Sequence, residues 1–131
     1  MSTPTVSEIP LSGEAAAIPD SQTFAILAAR AVDRKKAEDI LVLDLRGISS
    51  FTDFFVICSG SSDPQLKAIV EALREVADEN CRRILGEDGF PASQWVVVDF
   101  GDVIVHVFHQ LRRGFYDLES LWRDAPRVAW S

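Results

Sequence analysis

Cysteine is scarce in this chain: two residues among 131, Cys58 and Cys81. Two thiols do not make the disulfide framework that staples small secreted domains. Each falls in a stretch that reads as regular structure, where a buried free thiol is the ordinary outcome. Long hydrophobic runs are missing too; no apolar stretch approaches the ~20 residues a membrane helix needs. The N-terminus carries neither a basic, apolar, small-residue signal pattern nor the Arg-rich, acid-poor character of an organelle import segment, which favours a cytoplasmic protein of bacterial type. Positive charge is thin. Thirteen Lys and Arg stand against 20 Asp and Glu, a net charge of −7. Residues 1–20 hold Glu8, Glu14 and Asp20 and no Lys or Arg, which leaves 13 basic and 17 acidic residues in the remainder. Such a field repels a nucleic-acid backbone unless a local basic patch overcomes it. Arg34-Lys35-Lys36 and Arg112-Arg113 are the two candidate patches. The first lies near the end of a predicted helix, where cations complement the macrodipole. The balance points to a basic protein partner or to none, with no direct specific nucleic-acid contact and no membrane.

What is present suffices for one ordinary domain: 47% of residues are hydrophobic, enough for a globular core. The domain is placed at 21–123, between a disordered N-terminal tail, 1–20, and a loosely tied C-terminal tail, 124–131. Asp20 or Ser21 can cap a first helix running to about Glu38, with Phe24, Leu27, Ala28, Ala31 and Val32 at helical spacing. "DILVLDL" (39–45) and "DFFVICSG" (53–60) read as strands. A second helix starts at Asp63-Pro64, carries the apolar stripe Leu66, Ile69, Val70, Leu73, Val76 and Ala77, and has Gly86 as a natural stop. "LGEDGFPAS" is a loop with room for a short edge strand, and "RRGFYDLESLW" (112–122) is a turn and a short helix. The order α-β-β-α-β-β-α predicts an α/β or α+β sandwich: a mixed sheet of four or five strands with helices packed on it.

Between these lies "QWVVVDFGDVIVHVFH", residues 94–109. It reads as a hairpin turning at Gly101-Asp102, with Gly supplying the positive φ that a type II′ turn needs at its first central position. That turn sets the register. Val96, Val98, Phe100, Val103, Val105 and Val107 form one wholly apolar face, which belongs against the helices. The other face pairs Asp99 with Ile104, Val97 with His106, and Trp95 with Phe108. If uncovered, it has the make-up of an interface centre, with tryptophan for area and a few polar groups for direction. The plain alternative is that a terminal segment covers it and His106 is a satisfied, partly buried histidine.

Other chemistry is weaker. His106 and His109, three apart on a strand, point to opposite faces, and a metal site needs three or four converging ligands. "DFG" at 99–101 resembles a kinase magnesium loop, but the other kinase elements are missing. "SGSSD" (59–63), after a strand and before a helix, suits an anion. It has one glycine and no phosphate-binding lysine, so it is not a P-loop. Two-metal nucleotidyl transfer wants carboxylates converging on paired ions, and no D-x-D pair stands near Asp99 and Asp102.

Three segments together, "KKAEDILVLDLRGISSFTDFFVICSGSSDPQLKAI", "QWVVVDFGDVIVHVFH" and "FYDLESLW", resemble the ribosomal silencing factor family, the Iojap-related proteins. The resemblance covers about residues 22–123. It implies a nucleotidyltransferase-like fold without the catalytic carboxylates, and no cofactor and no reaction. It implies binding to the large ribosomal subunit through its fourteenth protein, on the surface the small subunit must meet. Subunit joining is then obstructed and translation repressed, notably under nutrient limitation. Homodimers are also implied. Carried over by position, Trp95 is the apolar anchor of the contact, and Asp99 and Asp102 pair with Lys or Arg of the partner. Phe100 contacts it from the turn, although the pairing argument sends Phe100 to the core. His106 acts at the rim, and Tyr116 belongs to the segment after the hairpin. Pro64 stands where many relatives have a polar or basic residue, and Phe100 where tyrosine is frequent. The competing functions are a nucleotide-binding or nucleotidyltransferase-like enzyme using the 59–63 loop, and a generic dimeric interaction module.

Overall fold

The first helix begins where Asp20 caps it: the Asp20 carboxylate accepts a hydrogen bond from the Thr23 N–H at 2.8 Å. A computed structural model describes residues 18–89 and 94–131 of the chain. Helix α1 spans Ser21–Arg34 and buries Phe24, four alanines and Val32. The alanines let the helix axis lie close to its neighbours. It ends four residues before Glu38, because Lys36 turns into the left-handed region at φ 64° and the Ala37 N–H folds back onto the Val32 carbonyl at 3.1 Å. Strands β1 (Glu38–Asp44) and β2 (Phe54–Gly60) follow. Helix α2 (Asp63–Glu79) is capped by Ser62 rather than by Asp63, which instead puts its charge in the first turn, where it complements the helix dipole. Gly86 does not stop this helix. Asn80 does: its side-chain amide donates to the Val76 carbonyl at 2.8 Å, and Cys81 then takes φ 57°. Gly86 opens a short edge strand, β3 (Gly86–Gly89). The hairpin strands are β4 (Trp95–Asp99) and β5 (Val103–His109), followed by α3 (Gln110–Tyr116) and α4 (Leu118–Leu121).

The five strands form one mixed sheet in the order β1-β2-β5-β4-β3. Only β2 and β5 run parallel, Phe54 beside Val103 through Gly60 beside His109, and the chain between them crosses over through α2. The other three pairings are antiparallel. This is the α+β sheet the sequence predicts. Its interior strand β2, second from the β1 edge, is buried along its whole length, as a strand covered on both faces must be.

Helices α1 and α2 cover one face. Phe24, Leu66, Ile69 and Leu73 meet Val42, Val56 and all six residues of the hairpin's apolar face. Burying those six side chains contributes on the order of 10 kcal/mol, an upper estimate by transfer bookkeeping. The opposite face is covered in part by α3, α4 and the C-terminal segment. That segment is not loosely tied. The Asp44 N–H donates to the Pro126 carbonyl and the Val128 N–H to the Val42 carbonyl, both at 2.8 Å, and Leu43 bridges Arg127. The outer edge of β1 would otherwise present unpaired backbone groups, and residues 126–128 satisfy them. The Trp130 indole adds a bond to the Ile40 carbonyl. Of the predicted N-terminal tail, residues 1–17 lie outside the described residues, as do 90–93 of the predicted loop.

Of the two thiols, Cys58 is buried and Cys81 is exposed, against the expectation that both would be buried. Burial pushes the Cys58 thiol up to about 12, which keeps it protonated and unreactive.

Candidate docking face

The hairpin turn is the two-residue type the sequence predicts. Gly101 has φ 93°, and the Phe100 N–H donates to the Val103 carbonyl at 2.9 Å. The Asp99 carboxylate accepts from the Gly101 N–H at 2.7 Å and fixes the turn from outside. The register is therefore Trp95 opposite Phe108, Val97 opposite His106, and Asp99 opposite Ile104. Beside them on β2, Phe55 neighbours Ile104 and Ile57 neighbours His106. These side chains make up the sheet face turned away from α1 and α2.

This face is half covered. Leu118 and Tyr116 pack onto it together with Trp122, so Phe108 and Ile57 are fully buried. Trp95, Val97, Asp99 and Ile104 stay partly exposed. Trp95 stacks on Phe108 with centroids 5.0 Å apart and rings 24° from parallel, and Tyr116 closes on it from the side at 4.6 Å. Toward the other end, Phe55 meets Trp122 edge-on at 5.5 Å, and Phe51 extends the ring row outward at 6.3 Å from Phe55. Phe51, in the β1–β2 loop, is well exposed. Both sequence readings hold in part: the terminal helices cover one end of the face, and an aromatic and aliphatic strip remains open.

The structure sorts the six predicted site residues into two groups. Trp95, Asp99 and Tyr116 lie at or beside the open strip. The other three do not. Phe100 is 4% exposed and sits edge-on to Phe24 at 4.8 Å, so the pairing argument prevails and it is a core residue. Asp102 also turns toward the helices. It takes two hydrogen bonds from the Arg82 guanidinium, at 2.7 and 3.0 Å, and one from the Ser21 hydroxyl at 2.6 Å. Burial pushes its carboxyl upward, but the bonds from Arg82 and Ser21 outweigh that and hold it below the ordinary 3.8. Its cation is internal, so it ties α1 and the segment after α2 to the turn. His106 is 6% exposed and lies under Trp95, not at a rim. Its Nδ1 accepts the Trp95 indole N–H at 3.2 Å, and burial pushes its pKa down to about 4, so it is neutral at physiological pH.

The remaining motifs have local work. His109 Nδ1 accepts from the Leu111 N–H and caps α3. In the 59–63 loop, Gln65 accepts from the Ser61 N–H at 2.7 Å and Ser62 from the Gln65 N–H at 3.2 Å. The chain thus occupies two of the N–H groups that an anion would use, those of Ser61 and Gln65. Gln65 also donates to the Lys35 and Lys36 carbonyls and ties the end of α1 to the start of α2. Sequence reasoning missed Gln65, Arg82 and the exposure of Phe51. The first two act through tertiary partners that no local period announces. Phe51 stood in a stretch read only as loop.

These features define a class: an α+β domain that seals one sheet face with two helices and keeps an aromatic strip open on the other. A family model described as "Ribosomal silencing factor during starvation" matches residues 18–131. The chain is 52% identical over 100 residues to the ribosomal silencing factor RsfS of Bacillus subtilis (strain 168), across 76% of this chain and 85% of that one. It is 37% identical over 106 residues to the chloroplastic protein Iojap of Zea mays, across 81% of this chain and 46% of the maize protein. A crystal structure of a Chromobacterium violaceum protein matches with a TM-score of 0.76 at 31% identity, over 86% of this chain and 93% of that one. One from Bacillus halodurans matches with 0.72 at 45% identity, over 82% and 98%. The chain belongs to the ribosomal silencing factor family.

Proposed function

We propose that the protein represses translation by docking on the large ribosomal subunit, through its fourteenth protein, and denying that surface to the small subunit. The observation that carries this reading is the open strip around Trp95, in a chain of the silencing-factor family. Interface centres are rich in tryptophan and aliphatic area and poor in charge, and Trp95, Val97 and Ile104 have that make-up. Asp99 lies at the edge of the strip, where it can pair with Lys or Arg of a basic ribosomal protein. The chain's net charge of −7 suits such a partner and speeds the encounter. Tyr116 flanks the anchor. Nothing in this mechanism needs a cofactor or a chemical step. Occupancy alone blocks joining, so repression follows mass action. The site of action is the cytoplasm, where the subunits meet.

Sedimentation tests the reading. Purified large and small subunits are mixed with and without the protein and resolved on a sucrose gradient. Saturating protein should comigrate with free large subunits and deplete joined ribosomes. Trp95→Ala, checked for folding by circular dichroism, should lose comigration by at least tenfold in affinity, as an interface anchor does. Undiminished joining at saturating wild-type protein refutes the proposal.

A further inference from the structure

We propose that His106 is a positioning residue: its Nδ1 sets the orientation in which Trp95 is presented for docking. The inference rests on the docking reading above. Direct contact is closed to His106, because it is buried beneath the strip. Its connection to the surface runs through the indole. Stacking on Phe108 and the flank of Tyr116 define the plane of the Trp95 ring, but a half-turn about Cβ–Cγ would keep that plane and carry the N–H to the other edge, so stacking alone leaves both orientations open. The bond from the indole N–H to His106 Nδ1 at 3.2 Å removes that freedom. An anchor already held in one rotamer loses less side-chain entropy on binding.

The histidine's own chemistry argues against a packing role. An indole N–H only donates, so Nδ1 must be unprotonated and the neutral ring carries its hydrogen on Nε2. Nε2 is buried and has no hydrogen-bond partner among the described residues. A buried donor left unmatched is destabilising. Phenylalanine would fill the same space between Phe55 and Phe108 without that cost. What an imidazole supplies and a phenyl ring does not is the acceptor facing Trp95. Burial also keeps the ring neutral across the physiological range, so the acceptor is always present.

The test has two arms. In the wild-type protein labelled with 15N, the Trp95 indole resonance is identified among the three tryptophans by its loss in Trp95→Phe. The histidine spectrum should show His106 with hydrogen on Nε2 only, and the indole N–H should couple across the hydrogen bond to Nδ1. A protonated Nδ1 at neutral pH overturns the proposal whatever the protein binds. In the second arm, large-subunit affinity is compared for wild type, His106→Phe and His106→Asn, the last keeping an acceptor near the Nδ1 position. His106→Phe should bind at least about threefold more weakly, the size of one side chain's ordering cost, and His106→Asn should recover part of the loss. A folded His106→Phe protein that binds within threefold of wild type overturns it. If wild type itself fails to bind large subunits, the docking reading has failed, and the first arm still reports on the bond alone.

Discussion

The two faces of the sheet use the same strands in opposite ways. Toward α1 and α2, β4, β5 and the turn between them present five valines and one phenylalanine, all buried, and the acid at the turn, Asp102, is matched by Arg82 and Ser21. Away from them, the alternate residues of the same strands are Trp95, Val97, Asp99, Ile104, His106 and Phe108, and they are covered only in part. The first face buries its apolar area and pairs Asp102 with Arg82, although the Arg82 Nε is itself buried without a hydrogen-bond partner among the described residues. The second leaves apolar area open and buries an imidazole whose Nε2 is unmatched. Open apolar area of this kind is what a docking face presents, and the proposed function rests on it.

Breaking the helix face should have the largest effect, on folding alone. Phe24 is fully buried, edge-on to Phe100, and lies under the Arg82 guanidinium at 4.7 Å. Phe24→Ala should cost about 3–5 kcal/mol in urea unfolding, the usual range for a phenylalanine cavity. The fraction still folded should bind large subunits with wild-type affinity. A loss below 1 kcal/mol would show that the two faces do not divide stability and binding as described.

Acid should act next, through the open face. The folded His106 titrates near 4 and the unfolded one near 6.5. As pH falls below 6.5, the unfolded state takes up this proton first. The stability His106 contributes is therefore full above 6.5 and disappears as pH drops toward 4. The loss amounts to about 3 kcal/mol at most. His106→Phe should flatten the stability curve in that window. It should leave the further fall below about 4, where Asp102 and other paired carboxylates protonate. A curve for His106→Phe that matches wild type between 6.5 and 4 would remove the buried-imidazole account.

The hairpin was legible because its signals are local. One glycine at the turn and strict alternation gave the register, and with it the split between Phe100 and Trp95. The family resemblance put Phe100, Asp102 and His106 at the contact, whereas the structure buries Phe100 and His106 and pairs Asp102 with Arg82. What stayed hidden depends on the third dimension. Asp102 finds Arg82 twenty residues away, through a chain reversal at Cys81 whose left-handed backbone a cysteine does not advertise. Residues 126–128 join β1 through backbone bonds with only Val128 packing on the core, so the segment carries no strand pattern.

The two aspartates sharpen the comparison at a smaller scale. Asp102 has 32% of its side chain exposed and Arg82 11%, so solvent screens their pair in part. Asp102→Asn should cost about 1–2 kcal/mol and leave large-subunit affinity unchanged. Asp99→Lys should do the reverse, weakening binding severalfold with a smaller change in unfolding midpoint. Affinity lost in Asp102→Asn and kept in Asp99→Lys would put the docking surface at the turn rather than on the strip.

The smallest expected effect concerns the edge of the strip. Leu111 and Phe115 are each 75% exposed on α3, four residues apart and so on one side of the helix. Phe115 touches Tyr116 edge-on at 5.2 Å, and Tyr116 touches Trp95. Neither residue has much buried area to lose. Leu111→Ser and Phe115→Ser should each shift stability by no more than about 0.5 kcal/mol. Their effect on large-subunit affinity measures how far the contact spreads from Trp95. A severalfold loss for Phe115→Ser, with unfolding unchanged, would extend the docking face across α3. Affinity equal to wild type in both variants would end it at Tyr116, with the partner confined to the strip between Trp95 and Phe51.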